Sequence, residues 1–294
     1  MAAEWKGKSR GTVLGYKIFI FCIKKLGLST AYFVLYFVAA YFCFFAMDST
    51  KSSYYYFRKR LGYSKFKSIK SIYKSYFVFG QTIIDKIAIS SGLKSKFTYD
   101  YDGVDRIKEV LNQKKGGILI SAHLGNFEIA EHFFGELEER DFISLLTTDV
   151  EHTAIKNYLD SVTEKSNIKL ILIKEDLSHI FEINAALARN EIVCITGDRY
   201  IKGSKYLTEE LLGKEAKFPA GPFLIASRLQ VPVLFVYVLK ESKKHYHLYA
   251  RTSQAKHRDS NALLKDYTQS LEWMLQKHPL QWFNYFDFWN ANKE

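Results

Sequence analysis

Residues 116–128 read GGILISAHLGNFE, and this stretch predicts how the chain folds. An apolar, β-favouring run behind two glycines indicates a short buried strand. Gly125 then permits a tight turn, and Asn126 is a good N-cap for a helix over about 127–138. His123 is therefore expected at the carboxyl end of a strand, the edge at which open α/β sheets carry their functional groups.

His123 and Glu128 form the first candidate site. Across a strand-turn-helix bend, this spacing can fold the carboxylate back onto one imidazole nitrogen, which fixes the tautomer and leaves the other nitrogen as a general base. The alternative is an incidental loop histidine followed by a glutamate that suits the helix dipole. The spacing alone leaves both interpretations open, because a His-x4-acid pattern is short and occurs by chance.

A second candidate site follows the strand predicted over residues 192–196. Asp198 and Arg199 come directly after it, so they are expected to meet His123 along the same edge of the sheet. Arg199 could clamp a phosphate or a phosphopantetheine-type group, and Asp198 could hold Arg199 or bind an acceptor hydroxyl. A simple salt bridge within the loop is the alternative.

Gly221 marks a third candidate, in the sequence FPAGPF over residues 218–223. A glycine turn there opens a helix, whose first N–H groups can hold an anion or a developing oxyanion. The alternative is an ordinary helix start.

From about Phe97 the sequence alternates between strand and helix patterns, which predicts a mixed central sheet flanked by helices, an α/β fold. Domain boundaries are expected at 1–95 for an N-terminal membrane-anchoring helical region and 96–294 for the α/β domain. The strands are predicted over 117–122, 142–147, 169–173, 192–196, 233–239 and 245–251, the last two antiparallel, and the helices over 104–112, 153–165, 177–189, 221–229 and 261–277.

The excess of positive over negative charge lies in the N-terminal part of the chain. The chain has a formal net charge of +11, and residues 1–84 carry 14 Lys/Arg against two acids. Nucleic acid is one partner for such a stretch, but here the charge accompanies the most apolar sequence, which favours an anionic membrane surface. Residues 28–47 are uncharged and long enough to cross a bilayer, with an interfacial helix as the alternative.

The segment over residues 51–74 holds eight basic residues, no acid and several tyrosines, a composition typical of a helix at the level of the lipid headgroups. A solvated charged face is the alternative. Cys22, Cys43 and Cys194 lack metal-ligand spacing and indicate reduced thiols in a protein that faces the cytosol. No metal, cofactor or nucleotide motif is evident.

The sequence around His123 resembles the His-x4-Asp/Glu motif of the lysophospholipid acyltransferase superfamily, in the form found in lipid A biosynthesis acyltransferases. Ala122 stands where that family usually has glycine, and Phe127 where it usually has tryptophan. Four later blocks resemble the family in the same order: GDR at 197–199, FPAGP at 218–222, QVPV at 230–233 and HPLQWFNY at 278–285.

This resemblance implies transfer of a fatty acyl chain from a thioester, carried by acyl carrier protein or by coenzyme A, to a hydroxyl of a membrane glycolipid. It implies His123 as base and Glu128 as its orienting partner, on the cytoplasmic side of the inner membrane, without a cofactor. Asn126, Asp198, Arg199 and Gly221 are the residues expected to bind substrate. The acceptor stays open: a lipid A precursor, a lysophospholipid, an amino-acid lipid or an aryl polyene lipid. A non-catalytic lipid-binding protein on the same fold is the other hypothesis.

Overall fold

The computed structural model describes residues 17, 20–130, 143–147, 169–174 and 176–289. The helix predicted over 153–165, and the helix after Asn126 beyond residue 130, lie outside these residues. The chain divides into two compact units. We call Met1–Thr98, Val150–Ser166 and His278–Glu294 the helical unit, and Tyr99–Asp149 and Asn167–Lys277 the sheet unit.

A mixed sheet of seven strands dominates the described sheet unit, which confirms the predicted α/β class. The strands are β1 Thr98–Asp102, β2 Gly117–Ser121, β3 Ile143–Thr147, β4 Lys169–Leu172, β5 Ile192–Thr196, β6 Tyr206–Leu211, β7 Lys214–Pro219, β8 Val233–Lys240 and β9 His245–Thr252. Seven of them run in the spatial order β1-β9-β8-β2-β5-β3-β4, and β6 and β7 form a separate hairpin. The pairs from β8 through β2, β5 and β3 to β4 are parallel, whereas β9 is antiparallel to β8.

Strands β2 and β5 lie side by side at the centre of the sheet. Their continuous apolar sequences fit strands that are covered on both faces, as the central strands of parallel sheets are. The register aligns Gly117 with Ile192 and Ser121 with Thr196, so the two strands end at the same level. Whatever follows these two strands therefore meets at one edge of the sheet.

The helices that the sequence predicts over 28–47, 104–112, 177–189, 221–229 and 261–277 are present, with their ends shifted by at most two residues, whereas the segment 51–74 is divided between two helices. The helices are α1 Leu28–Phe45, α2 Met47–Tyr55, α3 Lys65–Ala88, α4 Val104–Asn112, α5 His179–Ala188, α6 Ala220–Arg228 and α7 Ser260–Lys277. Sequence patterns missed β1 and the β6–β7 hairpin, because the half-exposed hairpin carries many Lys and Glu residues and its sequence resembles a polar loop. Its turn, Leu212 and Gly213, has φ values of +52° and +75°, which suits a two-residue hairpin.

In the helical unit, α1 packs closely against α3. A Cβ at Gly80 would lie 2.2 Å from Leu35 Cδ1, so the approach of the two helices depends on that glycine. The Tyr32 hydroxyl donates a hydrogen bond to the buried carboxylate of Asp85. The Tyr36 ring stacks on Phe77 with centroids 4.4 Å apart.

The C-terminal segment of the helical unit packs through aromatic rings onto the helices before it. The ring centroid of Tyr56 lies 5.2 Å from that of Trp282 and 6.2 Å from that of Trp289. The centroids of Tyr76 and Tyr285 are 4.9 Å apart. The Tyr56 hydroxyl also donates to the carbonyl of Pro279. The closing segment is therefore part of the helical core.

The outer face of α1 is apolar and exposed. Within the described residues, α1 is the one helix that is long and apolar enough to cross a membrane. Its 18 residues span about 27 Å, close to the thickness of a bilayer core. Large exposed side chains on and beside it are Phe21, Leu26, Phe33, Tyr36, Phe37, Tyr41, Phe44, Phe45 and Met47.

Glu191 ties together the starts of three strands in the sheet unit. Its buried carboxylate accepts hydrogen bonds from Lys169 Nζ at 2.6 Å, Arg189 Nε at 2.7 Å and Ser144 Oγ at 2.8 Å. Burial alone raises the pKa of Glu191, but these hydrogen bonds outweigh it and lower the pKa to about 2.

Glu191→Gln is expected to destabilise the sheet unit by about 2 kcal/mol at neutral pH, because it removes the charge of a buried carboxylate that binds two cations. The loss is no larger because the side chains of both cations are half exposed to solvent. The folded pKa lies below the ordinary value of 4.5, so this stabilisation is present above pH 4.5 and is lost as the pH falls towards 2. Thermal melts followed by circular dichroism at pH 7 and about pH 3 test this. The control is Glu182→Gln, which removes an exposed pair with Lys174; equal behaviour of the two variants would contradict the assignment.

Candidate active site

His123 and Asp198 occupy equivalent positions after neighbouring strands. Each lies two residues beyond the end of its strand, β2 for His123 and β5 for Asp198. Between them, the Gly197 N–H donates to the Ser121 carbonyl at 2.9 Å, which extends the pairing of the two strands into the loops. The structure thus brings together two residues that are 75 positions apart in the sequence.

Asp198 holds His123 at two points. The distance from His123 Nδ1 to Asp198 Oδ1 is 2.7 Å, and the His123 backbone N–H donates to Oδ2 at 3.1 Å. The Asp198 side chain has no exposed surface, whereas the His123 side chain is 30% exposed. Because a carboxylate accepts hydrogen bonds, Nδ1 carries the proton and Nε2 presents its lone pair. This is the tautomer that a general base requires.

The role assigned to Glu128 stays a prediction. Its backbone lies in a short 3₁₀ turn, Phe127–Ile129, and its side chain lies outside the described residues. The carboxylate that is hydrogen-bonded to His123 Nδ1 in the structure is that of Asp198. From the sequence, Asp198 was expected to hold Arg199 or to bind an acceptor hydroxyl. The sequence signal for Asp198 was its place directly after a buried strand; the missing step was the pairing of β2 with β5.

Gly125 lets the loop after His123 lie directly on β8. Its φ is +72°, and a Cβ there would lie 2.1 Å from the carbonyl oxygen of Val238. The next residue, Asn126, is buried, and its N–H donates to that same oxygen at 2.7 Å. Asn126 precedes the 3₁₀ turn without a side-chain capping hydrogen bond. The predicted turn at Gly125 is confirmed, and its cause is contact with β8.

Gly125→Ala is expected to destabilise the sheet unit by about 2–4 kcal/mol and to lower activity more than 100-fold, since the loop must leave β8 to accommodate the methyl group. Thermal melts and turnover of the purified variant test this. Gly213→Ala is the matched control: its φ is +75°, but a Cβ there meets nothing within 4 Å. If both variants lose the same stability, strain in φ is the cause and the contact with Val238 is not.

Arg199 supplies a partly desolvated cation beside Asp198. Burial lowers the pKa of Arg199 to about 10, although the negative charge of Asp198 opposes the shift. The guanidinium therefore stays protonated at neutral pH. A charged group with little water around it binds phosphate or a developing oxyanion more strongly than one in bulk solvent.

Gly221 lies in the first turn of α6, where backbone N–H groups have no acceptor within the helix. Two residues further on, Phe223 packs against the loop of Asp198, since a Cβ on Gly197 would lie 3.1 Å from Phe223 Cζ. The start of α6 is thus held against the loop that carries Asp198 and Arg199.

Comparison with known protein families identifies the family of this chain. The family model for bacterial lipid A biosynthesis acyltransferases matches residues 8–289. The chain belongs to this family. The resemblance found in the motifs is therefore confirmed, and it extends over both units. No curated protein sequence matches the chain.

Membership in the lipid A acyltransferase family makes the protein an acyltransferase that uses an acyl donor and a lipid acceptor. The family is membrane-associated, and the exposed apolar face of α1 is consistent with that property. A partly exposed imidazole held by a buried carboxylate is an arrangement that general bases adopt in proteins.

Proposed function

We propose that the protein transfers a fatty acyl chain from acyl carrier protein to a hydroxyl of a lipid A precursor or a related glycolipid, at the cytoplasmic face of the inner membrane. The observation that carries this proposal is the pair formed by His123 and Asp198 in a chain of this family. A lipid hydroxyl is a poor nucleophile at neutral pH and needs a base within hydrogen-bond reach.

In the proposed reaction, Nε2 of His123 takes the proton as the hydroxyl oxygen attacks the thioester carbonyl. Asp198 stabilises the imidazolium that forms, because its charge lies 2.7 Å from Nδ1. The tetrahedral intermediate then breaks its carbon–sulfur bond, and the imidazolium returns the proton to the leaving thiolate. His123 therefore acts as the base in the first step and as the acid in the second, and no proton is left over.

The negative charge of the intermediate needs donors. Arg199 is the first candidate, because it stays charged beside Asp198, and the N–H groups at the start of α6 near Gly221 are the second. Asn126 is proposed to contact the acceptor, since it follows His123 in the same loop, at the point where that loop lies against β8. Glu128 is proposed to act on the same imidazole from the turn that follows.

The helical unit is proposed to hold the enzyme on the membrane. Its α1 presents exposed phenylalanines, and the first half of α3 presents exposed lysines beside Phe66 and Ile69. Apolar side chains that enter the acyl region, next to lysines that bind lipid phosphates, suit an anionic bilayer. The lysines are Lys65, Lys67, Lys70 and Lys74.

The test uses the full chain in lipid nanodiscs with labelled acyl donors. Acyl carrier protein and coenzyme A thioesters are each offered with a lipid A precursor, a lysophospholipid, an amino-acid lipid or an aryl polyene lipid, and mass spectrometry identifies the product. We expect one acyl chain to be added to the lipid A precursor from acyl carrier protein. Transfer only to another acceptor would contradict the proposed substrate, and binding of lipid without transfer would contradict the catalytic role.

A further inference from the structure

The fully buried Tyr267 lies beneath the site. It comes from the middle of α7, and its hydroxyl donates to the carbonyl of Ser121 at 3.0 Å. The rings of Phe223 and Phe235 pack edge-on against it at centroid distances of 5.3 and 5.6 Å. The position of the Tyr267 hydroxyl is therefore fixed by its surroundings.

The same side chain touches both loops of the site. Ser121 ends β2, two residues before His123, and its carbonyl also accepts the N–H of Gly197 at 2.9 Å. A Cβ on Gly197, the residue before Asp198, would lie 3.2 Å from Tyr267 Cζ. Tyr267 thus supports the two backbone segments that present His123 and Asp198.

Burial raises the pKa of Tyr267 well above its ordinary value, and the negative charge of Asp198 raises it further. The hydroxyl therefore stays protonated as a hydrogen-bond donor and gives up no proton during the reaction. The Ser121 carbonyl already accepts a hydrogen bond from the Gly197 N–H, so it keeps a partner when the Tyr267 hydroxyl is removed, and the backbone is expected to fold without that hydroxyl.

We propose that Tyr267 is a positioning residue for acyl transfer, whose hydroxyl fixes the end of β2 so that the His123 ring stays aligned with Asp198. This inference rests on the proposed function, because it gives the hydroxyl a role only if the His123 and Asp198 pair performs the proton transfer. Small displacements of a catalytic group are costly because the reacting atoms must be aligned closely.

Tyr267→Phe keeps the packed ring and removes the oxygen. We expect kcat to fall about tenfold, with KM for donor and acceptor unchanged within about twofold, and the melting temperature to fall by no more than about 4 °C. The matched control is Tyr249→Phe, which removes the hydroxyl of an equally buried tyrosine that donates to Glu241 Oε1 at 2.9 Å. It is expected to keep the kcat of the parent.

A double-mutant cycle separates positioning from general support of the fold. In an Asp198→Asn background, or in Asp198→Glu if the first does not fold, Tyr267→Phe is expected to lower kcat by less than about twofold, since the alignment it protects is already lost. A tenfold loss in both backgrounds would overturn the inference, as would an unchanged kcat in the single variant. If His123→Ala is inactive while Tyr267→Phe has normal kcat, only this inference fails; if His123→Ala is fully active, the proposed function fails as well.

Discussion

His123→Ala is expected to fold, to associate with membranes and to lose acyl transfer by a factor of about 10³. The physical reason is that no other group described at this edge of the sheet presents a nitrogen lone pair held by a buried carboxylate. The variant's kcat, measured with the donor and acceptor identified above, gives the result directly. Its melting temperature is expected to fall by a few degrees, because the buried Asp198 carboxylate loses one hydrogen-bond donor, whereas the part-exposed imidazole fills no core space.

The control for this variant is His257→Ala. His257 is an exposed histidine whose Nε2 lies 3.0 Å from the carbonyl of Arg228. Loss of its ring should leave turnover unchanged. Undiminished turnover in purified His123→Ala would refute the assignment of the base.

Asp198→Asn is expected to lower kcat by about 10³–10⁴ with little change in KM. An amide in place of the carboxylate offers an N–H group to Nδ1, which favours the tautomer with the proton on Nε2 and so removes the base. It also removes the charge that stabilises the imidazolium during the reaction. Kinetics and a thermal melt of the purified variant test this.

Asp102→Asn is the matched control. Asp102 is likewise a carboxylate that accepts side-chain hydrogen bonds, since Arg251 donates to it at 2.6 and 3.0 Å, but it lies on the edge strand β1. Its substitution should leave turnover unchanged. Normal turnover in Asp198→Asn would show that the contact with His123 does not serve catalysis.

Glu128→Gln belongs in the same series, because the family motif assigns to it the role that the geometry gives Asp198. If both variants lose activity, both carboxylates act on the one imidazole. If Glu128→Gln is fully active, the sequence-based assignment of Glu128 is wrong.

Local sequence patterns were sufficient to predict most of the sheet unit. The strands over residues 117–121 and 192–196 follow from apolar runs between turn residues, and His123 and Asp198 could be placed at the carboxyl edge because parallel strands end together. The hairpin β6–β7 could not be predicted in the same way, since Lys and Glu on its exposed face hide the alternation of a strand.

The partner of His123 could not be predicted from spacing. Glu128 is close in sequence and Asp198 is 75 residues away, and only the pairing of β2 with β5 brings the second one to Nδ1. Tyr267 was missed for a related reason: on an amphipathic helix it is indistinguishable from any other core aromatic residue, and its hydrogen bond to Ser121 spans 146 positions.

The central claim is that Asp198 keeps the proton of His123 on Nδ1 and leaves Nε2 as the base. Nitrogen-15 NMR of the histidine-labelled full chain in detergent tests it, with the His123 signals assigned by their absence in His123→Ala and recorded at about pH 8.5, where an ordinary histidine is neutral. The account predicts a protonated Nδ1 and an unprotonated Nε2. A spectrum that shows the proton on Nε2 would contradict it.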